Sequence, residues 1–101
     1  MAINTDHPFQ KTYQASEDYI QRNIAGSEVL ISVGSNIADF NGYIELNSSA
    51  AILWKTLQSP CHLNDLIQVL ENEYQVSHKQ AVEDVSDFIQ ELINRKMVVV
   101  S

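Results

Sequence analysis

Apolar and polar residues alternate along Tyr43–Leu46, with Ile44 and Leu46 on one face and Tyr43 and Glu45 on the other, which predicts a short strand. Asn41-Gly42 just before it is a turn signal, because both residues tolerate positive φ. Asn47, Ser48 and Ser49 follow and can cap a helix with their side-chain oxygens. Ala50, Leu53, Trp54 and Leu57 then fall at i, i+3, i+4 and i+7, one face of a helix over about 48–58. A strand that runs this quickly into a capped helix leaves an edge beside a helical layer.

Earlier in the chain, residues 1–17 are polar and lack a sustained period, which predicts a flexible extension with Phe9 and Tyr13 as anchors. Tyr19–Ile24 reads as a strand, Gly26-Ser27 as a turn, and Val29–Val33 as the clearest strand, β-branched at three of five positions. Gly34-Ser35-Asn36 breaks it, and Ile37–Phe40 fits either a bulged continuation or a longer loop. Strands this close in sequence default to an antiparallel meander.

Two more helical patterns follow the first. Leu63, Leu66, Ile67, Leu70 and Tyr74 form one face over 63–74. Ser77-His78-Lys79-Gln80 is a capping box opening a third helix that runs to about Arg95. Its core face is Ala81, Val85, Phe88 and Leu92, widened to one side by Val82, Ile89 and Ile93. Met97–Val100 is a final short strand. The expectation is an α+β domain over 18–101: a three-stranded antiparallel sheet followed by a three-helix winged helix-turn-helix bundle.

Length allows this. A chain of 101 residues is one ordinary domain and can bury roughly 60–65% of its unfolded surface. The formal net charge of −7 argues against a phosphate backbone as partner and suits a basic peptide or protein. The one cysteine, Cys61, excludes an internal disulfide. The N-terminal MAINTDHPFQ lacks the basic and apolar regions of a secretory signal, and no apolar run approaches the ~20 residues of a membrane span. The chain is therefore read as cytoplasmic and soluble, with no membrane and no nucleic-acid partner.

The pattern Y-I-x-L-N-x-x-A-x-x-x-W-x-x-L is carried by Tyr43, Ile44, Leu46, Asn47, Ala50, Trp54 and Leu57. A second pattern runs through Tyr74, Val76, Ala81, Asp84, Val85, Phe88, Ile89 and Leu92, with Leu66 between the two. Together they resemble the PqqD-like family: pyrroloquinoline quinone biosynthesis protein D and the recognition elements of ribosomally synthesised, post-translationally modified peptides (RiPPs). The resemblance runs from about Tyr19 to Val100. Two features depart from it: the loop Gly34–Asn41 is longer than in the shortest members, and Lys96 stands where glycine usually follows the third helix.

The resemblance implies a non-catalytic peptide chaperone of natural product biosynthesis. Such a protein binds the leader segment of a precursor peptide and presents it to a modifying enzyme, such as a radical SAM protein, a leader peptidase or a cyclase. The physical basis is β-augmentation. An edge strand carries unpaired N–H and C=O groups, so an extended guest gains affinity from its main chain and specificity from alternate side chains. Carried onto this chain, the receiving edge is Tyr43, Ile44, Glu45 and Leu46, and the groove wall is the flank Val82, Ser86, Ile89 and Ile93 of the third helix. Residues at such spacings are core more often than contact surface, and Ser86 is what favours a partly open groove. Glu83, Asp87 and Glu91 form an acidic stripe at i, i+4 and i+8, read as a solvated face with Glu91 pairing Arg95, or as a surface for Lys or Arg of a partner.

Other chemistry is not indicated. His7, His62 and His78 lack metal-ligand spacing, and no glycine-rich phosphate loop occurs, so neither cofactor nor metal is expected. Cys61 beside Pro60 has no local base and reads as a passive loop residue. Asp84 reads as a structural anchor and Trp54 as the centre of the core. The alternatives are a small winged-helix transcription regulator, a protein–protein adaptor, and an acyl carrier protein. The first is opposed by seven acidic residues in helices two and three against Lys79 alone, and the last by the missing Asp-Ser-Leu attachment site. Monomer and homodimer both remain open, since an edge strand can pair with a second copy.

Overall fold

The computed structural model describes residues 11–33 and 43–101. The expectations for Phe9, the Gly34–Asn41 loop and the Asn41-Gly42 turn lie outside the described residues. The element order is β1 (Tyr13–Ala15), β2 (Tyr19–Ile24), β3 (Ser27–Ser32), β4 (Tyr43–Leu46), α1 (Ser48–Thr56), α2 (Leu63–Tyr74), α3 (His78–Asn94) and β5 (Val98–Val100). The fold is α+β, as the patterning predicts: β2, β3 and β4 form a three-stranded antiparallel sheet in that order, followed by the three helices.

The β2–β3 hairpin turns one residue earlier than expected. Its last pair is Ile24↔Ser27, so Ala25-Gly26 are the two loop residues. Both have positive φ, 54° and 88°, the requirement of a type I′ turn whose twist matches the flanking strands. Directly paired residues share a face, so Leu30 stands between Gln21 and Ile44, and Glu28 opposite Leu46. This face is turned inward, since Tyr19, Leu30 and Leu46 are buried in the main core.

Each helix start follows from its cap. Asn47 Oδ1 accepts the Ala50 N–H at 2.8 Å, the Asp65 carboxylate accepts the N–H of His62 at 2.8 Å, and Ser77 Oγ accepts the Gln80 N–H at 3.1 Å. The apolar faces then converge on Trp54, with Leu53, Leu57, Leu66, Val85 and Met97 fully buried beside it.

One element is absent from the reading of the sequence. Tyr13–Ala15 is a strand, paired antiparallel with β5 from Tyr13↔Val100 to Ala15↔Val98 in a second, two-stranded sheet. The segment taken as a flexible extension thus joins the domain at Tyr13, ahead of the boundary expected at residue 18. The reason is burial: Tyr13 and Ala15 point inward while Gln14 points out, an alternation only three residues long.

Helix α3 ends in a Schellman motif. The Met97 N–H donates to the Leu92 carbonyl at 2.8 Å and the Lys96 N–H to the Ile93 carbonyl at 3.0 Å, with Lys96 left-handed at φ 59°. This turn folds Met97 back against Leu92, and both are buried.

Candidate functional site

Strand β4 is bonded to β3 on one side, from Glu28↔Leu46 to Ile31↔Tyr43, and no described strand pairs with its other side. Beside it lies a groove of about 180 Å³. Its strand wall is Ile44, Glu45 and Leu46, its floor includes Leu30 and Met97, and its helical wall is Phe88, Glu91, Leu92 and Arg95 of α3. Ala50 closes one end from α1. Local folding explains each wall. The register puts Ile44 and Leu46 on the inward face, the Schellman turn places Met97 beneath, and Ala50 leaves room where a larger residue would fill it.

The floor is apolar and the rim is charged. Glu91 pairs with Arg95 one helical turn on, as its spacing predicts, and both side chains are more than half exposed. Glu45 is exposed on the strand side. An extended chain laid along β4 would find backbone donors and acceptors at the edge and apolar surface under every second side chain.

The groove gathers three of the eight residues chosen from the sequence. Ile44, Glu45 and Leu46 line the groove, while Tyr43, 60% exposed, sits on the outer face of the sheet in register with Ile31. The α3 flank Val82, Ser86, Ile89 and Ile93 does not line this groove. Ile89 is buried in the core at 4% exposure, Val82 is half-buried, and Ser86 and Ile93 are exposed. On a helical wheel these four lie about 100–160° around from Phe88, whereas Leu92 and Arg95 lie within about 40° of it. The groove beside β4 is lined from the other side of the core stripe. Phe88, read as core, is half-buried and forms the wall instead.

The remaining polar residues serve the framework. Cys61 is buried and forms a β-bridge with Tyr13. Burial, helped by the Asp65 charge, pushes its thiol pKa up, away from nucleophilic use. His62 Nδ1 lies 3.0 Å from the Lys11 carbonyl, which can only accept, so Nδ1 is the donor. Asp84 accepts a hydrogen bond from Gln80 Nε2 at 2.8 Å. Among the described residues no group of His, Cys, Asp or Glu could hold a metal ion, and no helix is long and apolar enough to cross a membrane.

A family model described as coenzyme PQQ synthesis protein D (PqqD) matches residues 13–98. No curated protein matches the chain. Two solved structures share its fold. TbiB1 in complex with the TbiA(beta) leader peptide is 19% identical, with a TM-score of 0.68 over 84% of this chain and 93% of that one. Lasso peptide synthetase B1 complexed with the leader peptide is 22% identical, with a TM-score of 0.68 over 86% and 96%.

Proposed function

This chain belongs to the PqqD family, and from that membership we propose that it is a non-catalytic RiPP recognition element. It binds the leader segment of a precursor peptide by strand addition to β4 and offers the peptide to a separate modifying enzyme: a radical SAM protein, a leader peptidase or a cyclase. The observation that carries the reading is the edge of β4 with which no described strand pairs, lying against an apolar groove with a helical wall. The edge supplies main-chain affinity for any extended segment, and the groove selects among segments by its alternate side chains. Both solved structures of like fold hold a leader peptide, which supports the same use of the fold here.

The test is a titration of the isotope-labelled protein with synthetic leader segments of the short precursor peptides found in its gene neighbourhood. Amide resonances of Tyr43–Leu46 and of the Phe88–Arg95 wall are expected to move together at one stoichiometry, while those of the β1–β5 sheet stay put. Binding that leaves the β4 amides unmoved would overturn the proposal. Sedimentation of the free and loaded protein shows whether the same edge pairs with a second copy in the absence of peptide.

A further inference from the structure

The groove beside β4 does not stop at the end of the strand. Asn47, the cap of α1, lines it and also lines a second cavity of about 310 Å³. That cavity is walled by Leu70 and Tyr74 of α2, Val76 of the α2–α3 link, and Asp84 of α3. Asp84, Phe88, Glu91 and Arg95 follow one another at i, i+4, i+7 and i+11, so one flank of α3 banks both spaces. From Asp84 to Glu91 is about 10 Å along the helix, the span of about three residues of extended peptide.

We propose that this second cavity is a subsite for a Lys or Arg side chain of the bound leader, placed on the N-terminal side of the segment that pairs with β4. The inference rests on the leader-binding reading and adds to it a charged specificity position. The described strand pairs are all antiparallel, and the guest is placed likewise. β4 runs toward Asn47, so a guest paired antiparallel to it has its N-terminal end there.

The chemistry of the walls selects the occupant. Leu70, Tyr74 and Val76 offer apolar surface, and Tyr74 is 39% exposed. A basic side chain lays its methylene stem on such surface and keeps its head at the rim. Asp84 is the one charged residue of the lining, and among the described residues its one side-chain hydrogen-bond donor is the neutral amide of Gln80. Among the described residues no Lys, Arg or His pairs with it. The start of α1 turns the positive end of its dipole toward the cavity, and Asn47 Oδ1 offsets only part of it by accepting the Ala50 N–H, so the full charge of Asp84 is what favours a cation there. The chain as a whole, at −7, draws a basic segment toward it.

The test uses the full chain and the synthetic leader, with each Lys and Arg of the leader changed in turn to Glu. One position N-terminal to the paired segment is expected to weaken binding. Asp84→Asn should lose about three- to fivefold, the scale of a partly exposed ion pair, and Tyr74→Ala a comparable amount. Asp84→Lys should restore binding to the Glu-substituted leader and to no other. Both side chains are at the surface, so melting temperatures unchanged from the parent exclude misfolding as the cause. If the leader still shifts the β4 amides but Asp84→Asn, Tyr74→Ala and every charge-swapped leader bind within twofold of the parent, the subsite is wrong and the recognition reading stands. If the β4 amides do not shift, the recognition reading has failed first.

Discussion

Tyr13 and Cys61 exchange backbone hydrogen bonds: the Tyr13 N–H donates to the Cys61 carbonyl at 2.7 Å, and the Cys61 N–H to the Tyr13 carbonyl at 3.0 Å. The Ala15 N–H donates to Leu57 at 2.8 Å and the Ser16 N–H to Met97 at 2.9 Å. Tyr13, Ala15 and Ser16 therefore tie the α1–α2 link to the turn that holds Met97 on the groove floor. Tyr13→Ala should cost about 3–4 kcal/mol, the scale of a large buried side chain truncated to Ala. Urea unfolding measures it, and a loss under 1 kcal/mol would show that β1 is dispensable.

The same pairing shields the thiol. A raised pKa lowers the thiolate fraction at neutral pH, and burial blocks the reagent. Cys61 should react with a thiol reagent at pH 7.5 far more slowly in the native protein than in urea. The Tyr13→Ala variant should react faster than the parent under native conditions. Equal rates in native and unfolded protein would contradict the buried bridge.

Two neighbouring residues of α3 should separate fold from binding. Ile89 is buried in the core, so Ile89→Asp places a carboxylate where no partner waits, a cost of several kcal/mol against a total of about 5–15. Circular dichroism should show loss of the folded state. Phe88 is half-buried on the groove wall, so Phe88→Ser should leave the helical spectrum intact and weaken leader affinity at least tenfold. The reverse pattern would restore the flank of Ile89 as the binding face.

That reversal marks the limit of what the sequence discloses. Periodicity placed the α3 stripe correctly, because burial repeats with the helix. It could not say which flank of the stripe meets the sheet, since Phe88 and Ile89 are both apolar and adjacent. The deciding contact is made by β4, about 45 residues earlier in the chain, and nothing local encodes it. Ala50 was the available signal: a small residue in an otherwise large apolar face, standing where the groove needs space. β1 was missed for a different reason. Three residues are too short for alternation to register, and their partner β5 lies at the other end of the chain. The β4–α1 junction was legible because the strand period, the cap and the helix period are all local.

Glu28 supplies a pH signature for the β2–β3 hairpin. Its carboxylate accepts from Asn23 Nδ2 at 2.8 Å and from Gln21 Nε2 at 2.7 Å. These bonds, Asn23 first, and the Lys55 charge hold its pKa below the ordinary 4.5. A depressed folded-state pKa means stability that is present above the unfolded value and lost as pH falls through the folded one. Glu28→Gln should therefore be less stable than the parent at pH 6 and approach it as pH drops below 4. Parallel stability curves over that range would show that the two amides do not favour the charged form.

The left-handed residue that closes α3 is the clearest route to a more stable protein. Lys96 has φ 59°, a conformation that costs a side-chain-bearing residue about 1–2 kcal/mol relative to glycine. Glycine gives back about 0.5–1 kcal/mol through the entropy of its unfolded chain. Lys96→Gly should then gain about 0.5–1 kcal/mol, with Leu92 and Met97 unmoved because the bonds that define the turn are main-chain. The substitution also removes a positive charge from the end of a helix, which offsets the gain by a few tenths of a kcal/mol in low salt. High salt suppresses that loss, so the gain should grow with ionic strength. Thermal unfolding in low and high salt reads both terms, and a destabilised variant in high salt would mean that the Lys96 side chain contributes something its exposed position does not suggest.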